Sequence, residues 1–156
     1  MAATQALKFL EAQGVVVSLH PYDYDPAADA VGMQAAAALG IAPAQMLKTL
    51  MLELDGKPVC CVIPADCQLS MKRVAAAFGG KAAAMMLPAR AEKLTGYRVG
   101  GISPFGQKRA VPTAFEIAAC GHARVWINAG QRGLLLGIDP QEAVRVTAAR
   151  AAPLVA

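Results

Sequence analysis

The sequence predicts a mixed α/β (α+β) fold, a sheet covered by helices, and three observations carry that expectation. Strand-like and helix-like segments alternate along the chain without sorting into separate blocks. Asp55-Gly56, a strong hairpin signal, joins two apolar runs. At 156 residues the chain has room for one sizeable core and not for two. With no internal repeat, no low-complexity linker beyond an alanine bias and no break in composition, residues 1–156 read as a single domain.

The elements follow in order. Thr4 caps a short helix that runs through Gln13 and closes at Gly14. The β-branched run Val15 to His20 reads as a strand, followed by a loop through Pro21, Asp25 and Pro26. Val31 to Leu39 is a helix stopped at Gly40, and Pro43 starts a short turn. Leu47 to Leu54 and Pro58 to Ile63 are the two strands of the hairpin. Ser70 caps a helix that ends at Gly79-Gly80; Ala82 to Met86 is a strand; Pro88 opens a helix ending near Gly96. Strands are expected at Val111–Ile117, Arg124–Asn128 and Leu134–Ile138. Asp139-Pro140-Gln141-Glu142 then starts a last helix, with a cap, a proline at the first position and a glutamate three on.

Composition excludes several classes. Hydrophobic residues make up 56% and charged residues 17%, which rules out a disordered tail. The 34 alanines, which pack in helices at little entropic cost, explain much of that apolar fraction without a membrane. The longest charge-free stretch, residues 30–47, is interrupted by Gln34, Gly40, Pro43 and Gln45, so it does not read as a spanning helix. The amphipathic N-terminus lacks the pattern of a signal peptide, and the chain reads as a soluble, cytoplasmic protein. Four cysteines without C-x-x-C spacing and two isolated histidines give no expected metal site, and no cofactor motif is complete.

Charge is uneven. Residues 1–66 carry 3 basic and 7 acidic side chains, a net of −4, whereas residues 67–133 carry 10 basic and 2 acidic, a net of +8. Such a block suits a protein that meets a polyanion, and equally a merely soluble basic surface; charge alone does not separate the two.

Two places carry chemistry. Alternation puts Lys48 on one strand face with Leu50, Leu52 and Leu54, the expected core face. A charge there is costly unless it lies at the rim, facing a cavity or an anion; the alternative is a strand-end lysine that snorkels to water. The second place is Gly96 to Arg109, where glycines let the backbone approach a ligand and offer N–H donors. Gly101 to Gly106 imitates a phosphate-cradling loop, but Gln107 stands where its lysine belongs, so a nucleoside triphosphatase is excluded. The alternative is a tight connection, glycine-rich for steric reasons. Ser103 has no histidine partner that would make it a nucleophile.

At these residues the chain resembles the YbaK/EbsC family of free-standing aminoacyl-tRNA deacylases, related to the editing domain of bacterial prolyl-tRNA synthetases. The resemblance runs from His20-Pro21-Tyr22-Asp23-Tyr24 through Leu47-Lys48-Thr49-Leu50 and Gly96-Tyr97-Arg98-Val99-Gly100-Gly101-Ile102-Ser103-Pro104 to Gly130-Gln131-Arg132-Gly133-Leu134. It implies a mixed, curved sheet covered by helices, and hydrolysis of the ester between a wrong amino acid and the 3′-terminal adenosine of tRNA. The nearest likeness within the family is to Cys-tRNA(Pro) deacylases, with Cys-tRNA(Cys) a further substrate. Lys48 is the implied catalytic residue. Tyr22, Thr49, Gly100, Gly101, Ile102, Ser103 and Pro104 are the implied substrate-binding residues. Loop N–H groups would receive the carbonyl oxygen, and the cysteinyl thiol would attack its own carbonyl. At Leu135, after R-G-L, some relatives carry an acid, so no carboxylate role transfers to that position.

The expected partner is the acceptor end of aminoacyl-tRNA, with prolyl-tRNA synthetase open as a second and no membrane. Lys108 and Arg109, directly after the loop, are the candidate tRNA-phosphate contacts. A side chain at Gly101 is expected to cost turnover more than stability. Two other readings stay open: a deacylase for another small amino acid, such as alanine, that uses water, and a non-catalytic tRNA- or synthetase-binding module.

Overall fold

Caps set the helix ends. Thr4 Oγ1 accepts from the Leu7 N–H to start α1 (Gln5–Ala12), Ser70 Oγ accepts from Arg73 N–H to start α3 (Met71–Phe78), and Asp139 accepts from Gln141 N–H to start α5 (Pro140–Val146). Gly79, in the left-handed region, closes α3, and proline opens α4 (Pro88–Thr95). The computed structural model describes residues 3–26 and 31–156, including α2 (Val31–Leu39).

Among the described residues, eight strands make two sheets. β1 (Ser18–Pro21), β7 (Leu134–Ile138) and β6 (Val125–Gln131) form a three-stranded antiparallel sheet in the order β1-β7-β6. The other has the order β4-β2-β3-β5-β8, from β2 (Leu47–Leu54), β3 (Lys57–Pro64), β4 (Ala83–Met85), β5 (Thr113–Glu116) and β8 (Arg150–Ala152). β2 is antiparallel to both β3 and β4, while β3–β5 and β5–β8 are parallel, so this sheet is mixed. Asp55 and Gly56, both at positive φ, make the β2–β3 hairpin turn.

The five-stranded sheet is buried on both faces. Leu47, Met51, Cys60 and Val62 point into a core shared with the smaller sheet, α1 and α4. Leu52, Leu54, Cys61 and Ile63 point the other way, under Val74 and Ala75 of α3. A third cluster joins Ala35 and Ala36 of α2 to Met46, Ala65 and Leu135.

Several expectations needed correction. The strand expected from Val15 begins only at Ser18, where β7 supplies partners (Ser18 with Gly137, Pro21 with Leu134); pairing, not β-branching, sets the boundary. The strand expected through Ile117 stops at Glu116, whose carboxylate accepts from Ala118 N–H and turns the chain into a 3₁₀ helix over Ile117–Gly121. β8 carries no strand signal of its own and exists because β5 offers an edge. Lys48 does share a face with Leu52 and Leu54, but that is one of two core faces.

Candidate functional site

β4 pairs with Leu52–Leu54 of β2 and the Met86 N–H reaches Met51 O, so the edge of β2 before Met51 has no strand partner among the described residues. A cavity of about 510 Å³ opens along that edge, the size range of small-molecule sites. Because the edge itself forms the wall, every residue from Met46 to Met51 lines the cavity whatever its parity. The remaining walls are Tyr22, Tyr24 and Pro26 after β1, Gly32 and Ala35 of α2, Met85, Met86, Pro88 and Ala91 around the start of α4, Val99, Gly100 and Ile102 of the glycine loop, and Asn128, Arg132 and Leu135 from the smaller sheet.

Five expected site residues therefore come together: Tyr22, Lys48, Thr49, Gly100 and Ile102 all line the cavity. Lys48 is half-buried on β2 opposite Ile63. Thr49 Oγ1 is buried with no hydrogen-bond partner, a group that a ligand in the cavity would satisfy. Burial pushes the Tyr22 phenol above its ordinary pKa, partly offset by the Gly133 backbone and reinforced by Tyr24, so it stays protonated near neutral pH.

The other loop residues do not reach the cavity. Gly101, Ser103 and Pro104 are buried behind it, Ser103 with no exposed surface. Gly101 N–H donates to Arg98 O at 2.8 Å, and Phe105 N–H donates to Ser103 Oγ at 3.3 Å, so both donors are engaged inside the loop. A Cβ on Gly101 would lie 3.0 Å from Arg132 N and 3.2 Å from Gln131 C, so this glycine serves packing of the loop on the β6–β7 turn. Lys108 and Arg109 are exposed and outside the lining; their N–H groups strap the chain to the end of α4, at Thr95 O (2.8 Å) and Leu94 O (3.3 Å).

Sequence reasoning missed Tyr24, Asn128 and the place of Arg132. Asn128 Nδ2 donates to Gly100 O at 3.1 Å, while its Oδ1 accepts from Gly130 N–H (2.7 Å) and Gln131 N–H (3.2 Å). It ties the glycine loop to a bulge in β6, where the register with β7 shifts between Asn128 and Gln131. The Asn-Ala-Gly spacing was a legible turn signal; its grip on a loop 28 residues away was not. Arg132 Nε donates to Val99 O at 2.9 Å, and its guanidinium lies 5.3 Å from the Tyr24 ring centre. Gly100, at φ +89°, must be glycine: a Cβ there would meet Tyr24 Oη at 3.0 Å and Arg132 Nε at 3.4 Å.

The cavity's chemistry is narrow. Among the described residues that line it, Lys48 and Arg132 are the charged ones, and there is no carboxylate, imidazole, thiol or serine hydroxyl. Such a site suits an anionic or ester ligand against an apolar wall, and its hydroxyls are those of Thr49, Tyr22 and Tyr24.

Residues 25–146 match the family model described as the aminoacyl-tRNA editing domain. The chain belongs to the aminoacyl-tRNA editing family. The enzyme class expected from the motifs, an aminoacyl-tRNA deacylase, is the one this family carries. EbsC of Enterococcus faecalis (strain ATCC 700802 / V583), which its name proposes as a Cys-tRNA(Pro)/Cys-tRNA(Cys) deacylase, is 30% identical over 146 residues, 92% of this chain and 88% of that protein. Two solved structures share the fold. One, proposed to be a trans-editing enzyme for prolyl tRNA synthetase, superposes with a TM-score of 0.82 at 23% identity, covering 97% of this chain and 95% of the other. The second, a hypothetical protein, gives 0.86 at 24% identity and covers 97% and 99%. The mixed α/β fold expected from the sequence is the fold of these neighbours.

Proposed function

We propose that this deacylase removes cysteine from mischarged Cys-tRNA(Pro), using the thiol of the substrate as the nucleophile. The observation that carries this reading is the lining of the cavity, which brings the Lys48 cation beside the glycine loop but, among the described residues, no thiol, imidazole, carboxylate or serine hydroxyl. The likeness to EbsC supports the choice of amino acid.

An aminoacyl ester is already activated, so positioning and charge stabilisation suffice. The cysteinyl sulfur attacks the carbonyl carbon, and the developing oxyanion is held by the Lys48 ammonium and by N–H groups of Gly100 and Ile102. The bond from carbonyl carbon to ribose oxygen then breaks. The thiol's proton passes through water to the ribose oxygen, which leaves as the free tRNA hydroxyl. The amino acid departs as a four-membered thiolactone that water opens to cysteine. One well-placed oxyanion donor is worth about 3 kcal/mol in acyl transfer.

Tyr22 and the unsatisfied Thr49 hydroxyl orient the terminal nucleoside, while buried Gly101, Ser103 and Pro104 hold the loop in shape. Lys108 and Arg109 meet backbone phosphates farther along the acceptor strand, giving salt-sensitive binding that carries little sequence information. The cavity reads the amino acid and the ester, so Cys-tRNA(Cys) is also a substrate of the isolated protein. Selection for tRNA(Pro) then requires a partner, and prolyl-tRNA synthetase is the one that fits. Acting on aminoacyl-tRNA, the enzyme works in the cytoplasm.

The test is a panel of aminoacyl-tRNAs incubated with the purified protein. Cys-tRNA(Pro) is expected to be deacylated well above the spontaneous rate, with Pro-tRNA(Pro) spared. Preferential loss of alanine from Ala-tRNA(Pro) would replace this reading with a water-using deacylase.

A further inference from the structure

Three of the large hydrophobic side chains exposed to solvent lie in the lining of the cavity or next to it in the chain. Met85 (49% exposed) and Val99 (42%) line it, and Leu87 (73%) lies between Met85 and the lining residue Pro88, at the cap of α4. Leaving these three in water forfeits burial that each would gain against a partner. The charges around them are mostly basic, the exception being the Glu92 carboxylate, which accepts from the Val99 N–H at 2.9 Å. Arg98 is exposed beside Val99, Arg132 holds the Val99 carbonyl, Lys48 lines the cavity, and none of the described lining residues is acidic. Glu53, on the neighbouring strand, is already paired with Arg90 at 2.5 Å.

Apolar surface next to cations suits unpaired nucleotides, whose base faces pack on apolar side chains while their phosphates meet the cations. The rim adjoins the cavity that would take the terminal nucleoside, so the unpaired nucleotide next to it is the occupant within reach. We propose that the Met85–Leu87–Val99 rim is the docking surface for the unpaired nucleotide that precedes the terminal aminoacylated one. Its base packs on Leu87 and Met85, and its phosphate faces Arg132 and Arg98. This rests on the deacylase reading for the terminal nucleoside, and it adds a subsite outside the cavity that recognises single-stranded RNA.

The test uses Leu87→Ser, which removes the apolar face without adding charge, and Leu87→Phe, which enlarges it. Because Leu87 is largely exposed at the uncapped start of α4, Leu87→Phe should unfold thermally like the wild type and Leu87→Ser no earlier than it. The probes are an uncharged RNA hairpin with a short unpaired 3′ overhang, the same hairpin with a blunt end, and aminoacyl-adenosine as a minimal substrate. Leu87→Ser is expected to weaken overhang binding roughly tenfold, about the worth of one packed base. It should leave blunt-hairpin binding and aminoacyl-adenosine turnover unchanged, and Leu87→Phe should bind the overhang at least as well as wild type. Unchanged overhang binding by Leu87→Ser, or an equal loss for the blunt hairpin, overturns the proposal and leaves the rim as a contact for a protein partner. The binding arm needs no turnover. A protein that grips the overhang through Leu87 but deacylates nothing would therefore sink the proposed activity and spare this inference.

Discussion

Replacing Asn128 with Asp separates the geometry of the site from the stability of the fold. Asn128 makes three hydrogen bonds: one donated to Gly100 O at 3.1 Å and two accepted from the N–H groups of Gly130 and Gln131 at 2.7 and 3.2 Å. Aspartate keeps an acceptor for both turn N–H groups but sets a carboxylate against the Gly100 carbonyl. The bulge in β6 therefore survives while the glycine loop is pushed off its position. Each bond contributes about 1 kcal/mol net, so Asn128→Asp should cost about 1 kcal/mol. Asn128→Ala, which also strips the turn, should cost about 2 kcal/mol, because the exposed Gln131 N–H recovers a bond to water. Activity should fall further than stability. Displacing a positioned donor by about an ångström costs up to a hundredfold, so kcat/KM should drop between ten- and about a hundredfold in both variants. Urea unfolding gives the first quantity and steady-state deacylation the second. If Asn128→Asp retains kcat/KM within about twofold of wild type, the Gly100 carbonyl is not held for catalysis and the loop's role as oxyanion site falls.

Lys48→Ala should lower kcat/KM by about a hundredfold or more with the fold intact, and Arg should rescue it poorly because a planar fork does not replace a compact ammonium; a correctly folded Ala variant with normal turnover would make Lys48 structural. Gly101→Ala should lose about 1–3 kcal/mol of stability, since its Cβ meets backbone at 3.0 and 3.2 Å, the reverse of the expectation from sequence that turnover would suffer more; a Tm within a degree or so of wild type would contradict this. Glu116 gives a pH prediction: burial pushes its carboxyl up, but N–H donors from Ala118, Leu154 and Val155 and the charge of Arg73 outweigh that and hold it below the ordinary value. Its stabilisation is thus complete above the unfolded pKa of about 4.3 and is lost as pH falls through the lower folded value, so Glu116→Gln should flatten the acid limb of urea stability; an unchanged slope would refute it.

What the sequence made legible was local. Caps, prolines and the Asp55-Gly56 turn are decided by neighbours within a few residues, and α1, α3, α4, α5 and the β2–β3 hairpin appear where those signals stand. Boundaries set by distant partners were not legible: β1 starts where β7 begins to pair, and β8 exists through β5. The site divides in the same way. Lys48 stood out because a charge sat in an apolar strand, yet what exposes it is the short reach of β4, which leaves the outer edge of the first half of β2 without a strand partner among the described residues. The glycine loop was visible as a loop, but which of its residues face the cavity depends on Asn128 and Arg132, whose contacts cross 28 and 33 residues of chain.

The most direct measurement compares Cys-tRNA(Pro) with Ser-tRNA(Pro) under single-turnover conditions. The two substrates differ by one atom, sulfur for oxygen, so the cavity holds them alike and only the nucleophile changes. The account predicts rapid loss of cysteine and, for serine, a rate near the spontaneous one, with Lys48→Ala abolishing the difference. Comparable enzymatic deacylation of both would show that water is the nucleophile and would contradict substrate-thiol catalysis.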